Sequence, residues 1–535
     1  MSTSTAPTTT RSPGRTSSID PARRNRYRGL AAGMLGALAM IAVFIILRPY
    51  TNSVSVLDTI ADATLLAMPI SVFSFLLQTF GTQAKTLFLV GLIAVLVLIG
   101  GGLGQRYANR TAGARRTMWA QIQTYAVGIT LALGLFLLII SALQTPDAVR
   151  GMQAVWAFVV VGIGAEAWAT VTALTMTILR SRDPHPLAAS EPQAADGTTM
   201  DRRRAITTAG AAAVAIGAVG VVGWEVQRVA SRPTVGTASA GQIPPAITPI
   251  GEFYTISKNF VDPTPDRGDN WELRVEGLVE NPGTISRAEL EEMAGPDFVS
   301  TLTCISNEIG GELIGTARWT GAPLSQVLDR FGVRPNAYDV VAEGEDGYTD
   351  SFPVERALSP EPHVVWAMNG EPLPRRHGTP VRLIVPGLYG IKNVKWLTRL
   401  TLTADDHRGF WQDRGWTESA IIKTQSHFDV PQARDVVPAG MLTIGGVAFA
   451  GERGISQVEV SFNGGDDWRE ATIAENPSPA GLSWVVWTMD WTPKTGTYEL
   501  AVRATDGEGN LQAEESAPTL PDGASGYHQF TVGVA

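Results

Sequence analysis

Up to about residue 224 the chain alternates long apolar stretches with short basic ones. Beyond about residue 250 it turns to short alternating runs separated by glycine, proline and acidic residues. The apolar stretches lie at 29–47, 64–80, 86–104, 119–142, 153–179 and 205–223. About 20 apolar residues cross a bilayer core as a helix, and Lys and Arg gather on the cytoplasmic side of such spans. Arg11, Arg15, Arg23, Arg24, Arg26 and Arg28 precede the first stretch, and Arg106, Arg110, Arg115 and Arg116 follow the third. Both flanks are therefore expected inside, separated by an even number of crossings. The weakest stretch between them is TLLAMPISVFSFLLQTF (64–80), which is short and carries Pro69. It is expected to lie interfacial or re-entrant on the outer side. Parity then predicts an N-terminal α-helical membrane domain of about five spans, with the N-terminus cytoplasmic and everything after the last span outside.

The polar, Ser/Thr-rich residues 1–28 have little apolar surface to bury and are expected to be a disordered cytoplasmic tail. The transmembrane domain is assigned to 29–224. Its last stretch, DRRRAITTAGAAAVAIGAVGVVGW (201–224), pairs adjacent arginines with a weakly apolar Ala/Gly run. It resembles a twin-arginine export signal, the route that moves folded proteins, although Asp201 and Ala205 depart from the usual pattern. An ordinary last span is the competing reading. None of the six histidines, at 185, 363, 377, 407, 427 and 528, falls inside a span, so no bis-His haem is expected there. Glu166 does lie mid-span. An intramembrane carboxylate marks a proton path or quinone contact, or else a neutral side chain bonded to a neighbouring helix.

A Pro/Gly/Ala/Ser-rich linker at 225–250 leads into the second half. WELRVEGLVENPGTISRAELEEM (271–293) alternates as a strand, turns at NPG and offers Ser286 as a helix cap. Further strands and short helices follow, so 251–430 is expected to be an α+β domain. MLTIGGVAFAG, ISQVEVSFNGG, SWVVWTMDWTP, YELAVRATDGEGN and YHQFTVGVA are strands at sandwich spacing. Residues 431–535 are therefore expected to form an immunoglobulin-like β-sandwich, without a disulfide because the chain has one cysteine. A net charge of −9 and the lack of a basic stripe exclude nucleic acid as a partner.

That cysteine, Cys304, ends a β-type run in TLTCISNEIGGEL (301–313). A buried small side chain, a catalytic nucleophile and a single thiolate ligand to a soft metal all suit it. The stretch RRHGTPVRLIVPGLYGIKNVKW (375–396) brings Arg375, Arg376, His377, Arg382, Lys392 and Lys395 onto loops bent by glycine and proline. Such a cluster suits a solvated face or a pocket for an anionic cofactor.

Cys-x-x-Asn followed by ARWTGAPL, then HGTPVRLIVPGLYGIKNVKW, then VEVSFNGGDDW occur in this order over 250–535. In these motifs the second half resembles the sulfite oxidase family of molybdenum enzymes. The resemblance implies that 251–430 is the catalytic domain, binding one molybdenum–molybdopterin per chain, with Cys304 as the protein's thiolate on the metal. It implies that Tyr389 lies close to the metal. Ser257, Lys258, His377, Arg382, Lys392, Asn393, Val394 and Lys395 are implied to hold the cofactor. The sandwich is implied to be of the type that mediates dimers, so a homodimer is expected. Insertion of the cofactor before export would agree with a twin-arginine route.

The family pattern departs at one place. Sulfite oxidases carry two arginines after Cys-x-x-Asn, where this chain has Glu308 and Ile309, and FYTIS (253–257) also lacks an arginine found in them. Attraction for a dianion is weakened or reversed. A neutral S-oxide or N-oxide, the type of substrate taken by periplasmic sulfoxide reductases of the same family, is therefore expected over sulfite. Sulfite dehydrogenation and a cofactor-free exported binding module are the alternatives. With no fused haem domain, a separate electron-transfer partner or a quinone is implied.

Overall fold

The computed structural model describes residues 20–47, 56–80, 83–111, 118–144, 149–181, 198–230, 242–259, 262–263, 270–478 and 481–535. It divides into two compact units. One comprises 1–47, 90–138 and 154–225, and the other 48–89, 139–153 and 226–535. Most of the expected tail, the loop at 182–197 and much of the linker lie outside the described residues.

The helices are α1 (Pro21–Leu47), α2 (Val56–Ala67), α3 (Ile70–Phe80), α4 (Ala84–Arg110), α5 (Met118–Gln144), α6 (Val149–Ser181) and α7 (Thr198–Ala230). Among the described residues five segments are long and apolar enough to cross a membrane: Pro21–Leu47, Ala84–Arg110, Ala120–Leu137, Phe158–Arg180 and Ala212–Ala230. They match the five stretches selected by loop charge. The sixth breaks at Met68–Pro69 into α2 and α3, because proline removes a donor and clashes with the preceding turn.

The first unit packs through small residues. A Cβ on Gly33 of α1 would come within 2.2 Å of the Gly100 carbonyl oxygen of α4, and one on Gly104 within 2.3 Å of the Gly29 carbonyl oxygen. Between helices in lipid, such close backbone approach replaces the hydrophobic effect as the source of attraction. Trp168 Nε1 on α6 donates to the Gly33 carbonyl at 3.2 Å. Near the ends of these helices, Arg180 donates to the Ala108 carbonyl at 3.0 Å and to Thr111 Oγ1 at 2.9 Å.

The second unit holds the sheets. One has the strand order Gly283–Ser286, Glu272–Gly277, Leu397–Thr403, Asp339–Gly344, Thr349–Pro353. Its alternation is plain in Glu272–Gly277, where Leu273 and Val275 are buried and Glu272 and Arg274 exposed. The next helix starts on Ser286, whose hydroxyl accepts from Glu289 N at 3.3 Å, as its sequence position predicts. A second sheet runs Phe298–Thr303, Ile314–Pro323, His363–Met368, with Arg382–Ile384 also paired to His363–Met368. The C-terminal part is two mainly antiparallel sheets enclosing Phe428, Ile444, Val458, Trp487, Leu500 and Val532. It docks on the strand leading to the cysteine: Thr301 N donates to Leu482 O at 3.0 Å, and Trp484 N donates to Thr301 Oγ1 at 2.8 Å.

Candidate functional site

Phe298–Thr303 is buried along nearly its whole length and delivers Cys304 to the edge of a cavity. The loop after it is folded by its own polar groups. Cys304 N donates to Leu313 O at 2.9 Å, Asn307 Oδ1 accepts from Leu313 N at 2.8 Å, and Gly310 sits at φ 71°. The Cys-x-x-Asn spacing therefore places the asparagine where it closes the loop that presents the thiol. Cys304 Sγ lies 3.0 Å from Ser306 Oγ. Burial pushes its pKa up, against opposing effects from Ser306, the Ile305 amide and Lys395.

The opposite wall comes from the basic stretch. Arg375–His377 is a single tight turn, ended by Gly378 at φ 108°, where a Cβ would lie 3.0 Å from the Cβ atoms of both Arg382 and Lys395. Only glycine fits both the angle and the space. Arg382 is held from behind: Nη1 donates to His377 O at 3.1 Å and Nη2 to Asn393 O at 3.2 Å. Its guanidinium carbon lies 5.5 Å from the Trp319 ring centroid. Asn393 faces the backbone, with Oδ1 accepting from Val385 N at 2.7 Å. Lys395 Nζ donates to Ile256 O at 2.8 Å and Arg376 O at 3.2 Å.

Of the cavity-lining residues, three keep a buried side-chain atom without a partner among the described residues: Thr255 Oγ1, His377 Nε2 and Arg382 Nε. Buried polar atoms are rarely left so, and each such atom points to an absent ligand or water. Burial, then the neighbouring Arg382, Lys395 and Arg376, push the His377 pKa down to about 3, so the ring is neutral near pH 7. Burial lowers Arg382 to about 10, which leaves it charged. Arg376, Arg382, Lys395 and Lys258 all line the cavity, and Asp346 is its acidic lining residue. A positive cradle with free buried donors fits a phosphate-bearing organic cofactor.

Of the residues anticipated from the sequence, the cavity gathers Cys304, Ser257, Lys258, His377, Arg382, Asn393, Val394 and Lys395. Tyr389 and Lys392 are buried beside it rather than among its lining residues. The Tyr389 hydroxyl accepts from Lys423 N at 3.3 Å, and burial raises its pKa to about 12. Lys392 Nζ is bonded to Asp350 Oδ1 and to Ser351 O, each at 2.7 Å. Tyr254, Asp346, Tyr348 and Trp411 also line the cavity and were not anticipated. Only Tyr254 had a local signal, an aromatic pair just before Ser257, and Phe253 packs edge-on to His377 with centroids 5.6 Å apart. Glu308 is exposed and Ile309 half-buried, and neither lines the cavity. In the helical unit Glu166 is exposed, and its Oε2 accepts from Gln123 at 3.2 Å.

Comparison with known proteins agrees with this geometry. An oxidoreductase molybdopterin binding domain matches residues 261–411, and a Mo-co oxidoreductase dimerisation domain matches 415–529. The sulfite oxidase of Gallus gallus is 32% identical over 321 residues, covering 51% of this chain and 69% of that one. The mitochondrial sulfite oxidase of Mus musculus is 32% identical over 323 residues, and the chain spans 58% of its length. The solved sulfane dehydrogenase SoxCD of Paracoccus pantotrophus has a TM-score of 0.48 and 23% identity, over 54% of this chain and 83% of that one. The chain belongs to the sulfite oxidase family, and it is a molybdopterin-dependent oxidoreductase whose cofactor is molybdenum–molybdopterin.

Proposed function

We propose that the chain is a membrane-tethered molybdenum oxidoreductase that carries out two-electron oxygen-atom transfer outside the cytoplasm. The observation that carries this reading is the pairing, across one cavity, of the single thiol with the unpartnered buried nitrogens His377 Nε2 and Arg382 Nε. In it Cys304 is the thiolate on the metal, and His377, Arg382, Lys395, Asn393, Val394, Ser257 and Lys258 hold the pterin and its phosphate. Lys392 acts one layer back through Asp350, stiffening the turn that carries Asn393, and Tyr389 borders the substrate side. When bound, the cofactor supplies the change between two oxidation states of molybdenum and the exchangeable oxygen. The protein orients it, excludes water and keeps His377 neutral, its other ring nitrogen bonded to the Ile250 backbone and Nε2 left to accept.

The topology has internal support. Five crossings with a cytoplasmic N-terminus put the segment between the first two spans and the C-terminal domains on the same, outer side. Asp62 of α2 is 3.1 Å from Lys258 of the catalytic half, a contact that needs both on one side. The arginines before the last span, read as a twin-arginine-like signal, suit export of a domain already loaded with cofactor. The dimerisation-type domain supports a homodimer, and a separate electron-transfer partner or a quinone completes the cycle.

Neither Glu308 nor Ile309 lines the cavity, but with them in place of two cations the loop after Cys304 adds no positive charge for a dianion, which favours a neutral S-oxide or N-oxide substrate. Sulfite is the second reading, favoured by the activity for which the 32%-identical relatives are named. The test is metal analysis with fluorescent pterin release on the purified protein, then turnover of methionine sulfoxide, trimethylamine N-oxide and sulfite with artificial donors and acceptors. About one molybdenum and one pterin per chain, with reduction of an oxide exceeding oxidation of sulfite, is expected. Sulfite turnover alone would select the second reading, and absence of both metal and pterin would overturn both.

A further inference from the structure

Helices α2 and α3 contact residues that line the cofactor cavity, through side chains that oxygen transfer does not use. Asp62 on α2 and Lys258 are 3.1 Å apart, with side chains 14% and 4% exposed. Lys258 Nζ also donates to Asn259 Oδ1 at 3.0 Å, and Asn259 Nδ2 donates to Asp346 Oδ2 at 2.7 Å. From the first turn of α4, Lys85 Nζ donates to Ser257 O at 2.9 Å and also to Asn259 O. Phe73 on α3 lies 6.1 Å from Trp411, centroid to centroid. Ser257, Lys258, Asp346 and Trp411 all line the cavity.

A second buried cation faces the same helix. Arg414 is 5% exposed, and its Nε and Nη2 have no partner among the described residues. Of the charges acting on it, Asp62 is the largest. Asp62 thus helps offset the burial of two cations, leading for Arg414 and second to Asp346 for Lys258. Removing one partner of a buried pair leaves the other uncompensated, which is more disruptive than never having made the pair.

We propose that α2–α3 braces one wall of the cofactor cavity from behind, with Asp62 as a positioning residue that holds Lys258, and with it residues 257–259, toward the bound cofactor. The segment that joins the first two spans then steadies the cavity of the catalytic half, and loosening that segment speeds cofactor loss. This rests on the reading that the cavity takes molybdopterin.

The experiment follows pterin release from full-length protein in detergent, measured as the fluorescent oxidation product retained after timed dialysis. Wild type is set beside Asp62→Asn, Asp62→Glu and Lys85→Met. Release on the order of 10-fold faster is expected for Asp62→Asn, with wild-type retention restored by Asp62→Glu and an intermediate rate for Lys85→Met. Loaded wild type alongside an Asp62→Asn variant that retains pterin equally well overturns the proposal, as does failure of Asp62→Glu to improve on Asp62→Asn. Should Asp62→Asn not fold, Lys85→Met decides alone, and an unchanged release rate there overturns the proposal. Wild type without pterin would instead sink the cofactor reading beneath it.

Discussion

Two buried basic sites lie within twenty residues of each other and are built oppositely. Lys392 is enclosed by protein partners: Asp350 and Ser351 O accept from it, and Asp350 in turn accepts from Tyr348 at 2.9 Å and from Ser351 N at 2.9 Å. Arg382 and His377 are as deeply buried, yet each keeps a nitrogen with no partner among the described residues, and both face the cavity. A buried cation whose donors are taken by protein has nothing left to offer a ligand, whereas a buried nitrogen facing a cavity without a partner is placed to bind one. Burial and charge alone do not separate the two, but the disposition of the remaining donors does.

Mutations break this comparison in graded steps. The largest effect is expected at the thiol. Cys304→Ser should lower oxygen-transfer turnover by more than about 100-fold, since even outer-shell partners of metal ligands are worth 10–100-fold. Pterin content should be unchanged, because the cradle on the opposite wall is intact. Metal and pterin assays on the same preparation check both.

Lys392→Met comes next. It strands Asp350 in the core, and a loss of about 3–5 kcal/mol of unfolding free energy is expected in cofactor-free and loaded protein alike. Denaturant titration of both forms is the measurement. Arg382→Met should behave in the reverse way. It should cost cofactor-free stability less than Lys392→Met does, because it removes two bonds to backbone carbonyls and strands no charge, while weakening pterin retention by about 10–100-fold, the worth of a charge-assisted hydrogen bond. If the two variants exchanged behaviour, the distinction between the sites would be wrong.

A pH dependence sharpens the same contrast. His377 titrates at about 3 in the folded protein, against an ordinary value of 6.5. Between those values the unfolded chain binds the proton and the folded chain does not. Stability is therefore complete above about pH 6.5 and falls as the pH drops toward 3, by at most about 1.4 kcal/mol per unit. The slope should be shallower by that amount in cofactor-free His377→Gln, as read from denaturant midpoints across the window. The smallest effect is expected at Glu166, whose exposed bond to Gln123 is worth on the order of 0.6 kcal/mol. Unchanged turnover with a quinol donor in Glu166→Gln would mark it as a packing contact, and a large drop would place it on an electron or proton route.

The sequence by itself determined much of this protein, because its strongest signals are local and periodic. Span length and arginine-bearing loops selected the same five helices that are long and apolar enough to cross a membrane among the described residues, and Pro69 marked the break between α2 and α3. Cys304 with Asn307 three residues on, and the glycine-bent basic run at 375–396, were legible as motifs because chain neighbours form each loop. Only the tertiary structure decided how these pieces meet. Tyr254, the neighbouring Asp346 and Tyr348, and Trp411 come to the cavity from three separate stretches, and no spacing along the chain joins those stretches. The basic run looked uniform in sequence, but Lys392 turns to Asp350 while Arg382 turns to the cavity, a choice set by which acceptors folding brings close. The contact of Asp62 with Lys258 spans 196 residues. Electrostatic pairing over such a separation leaves no periodic trace, since either residue alone is an ordinary polar position.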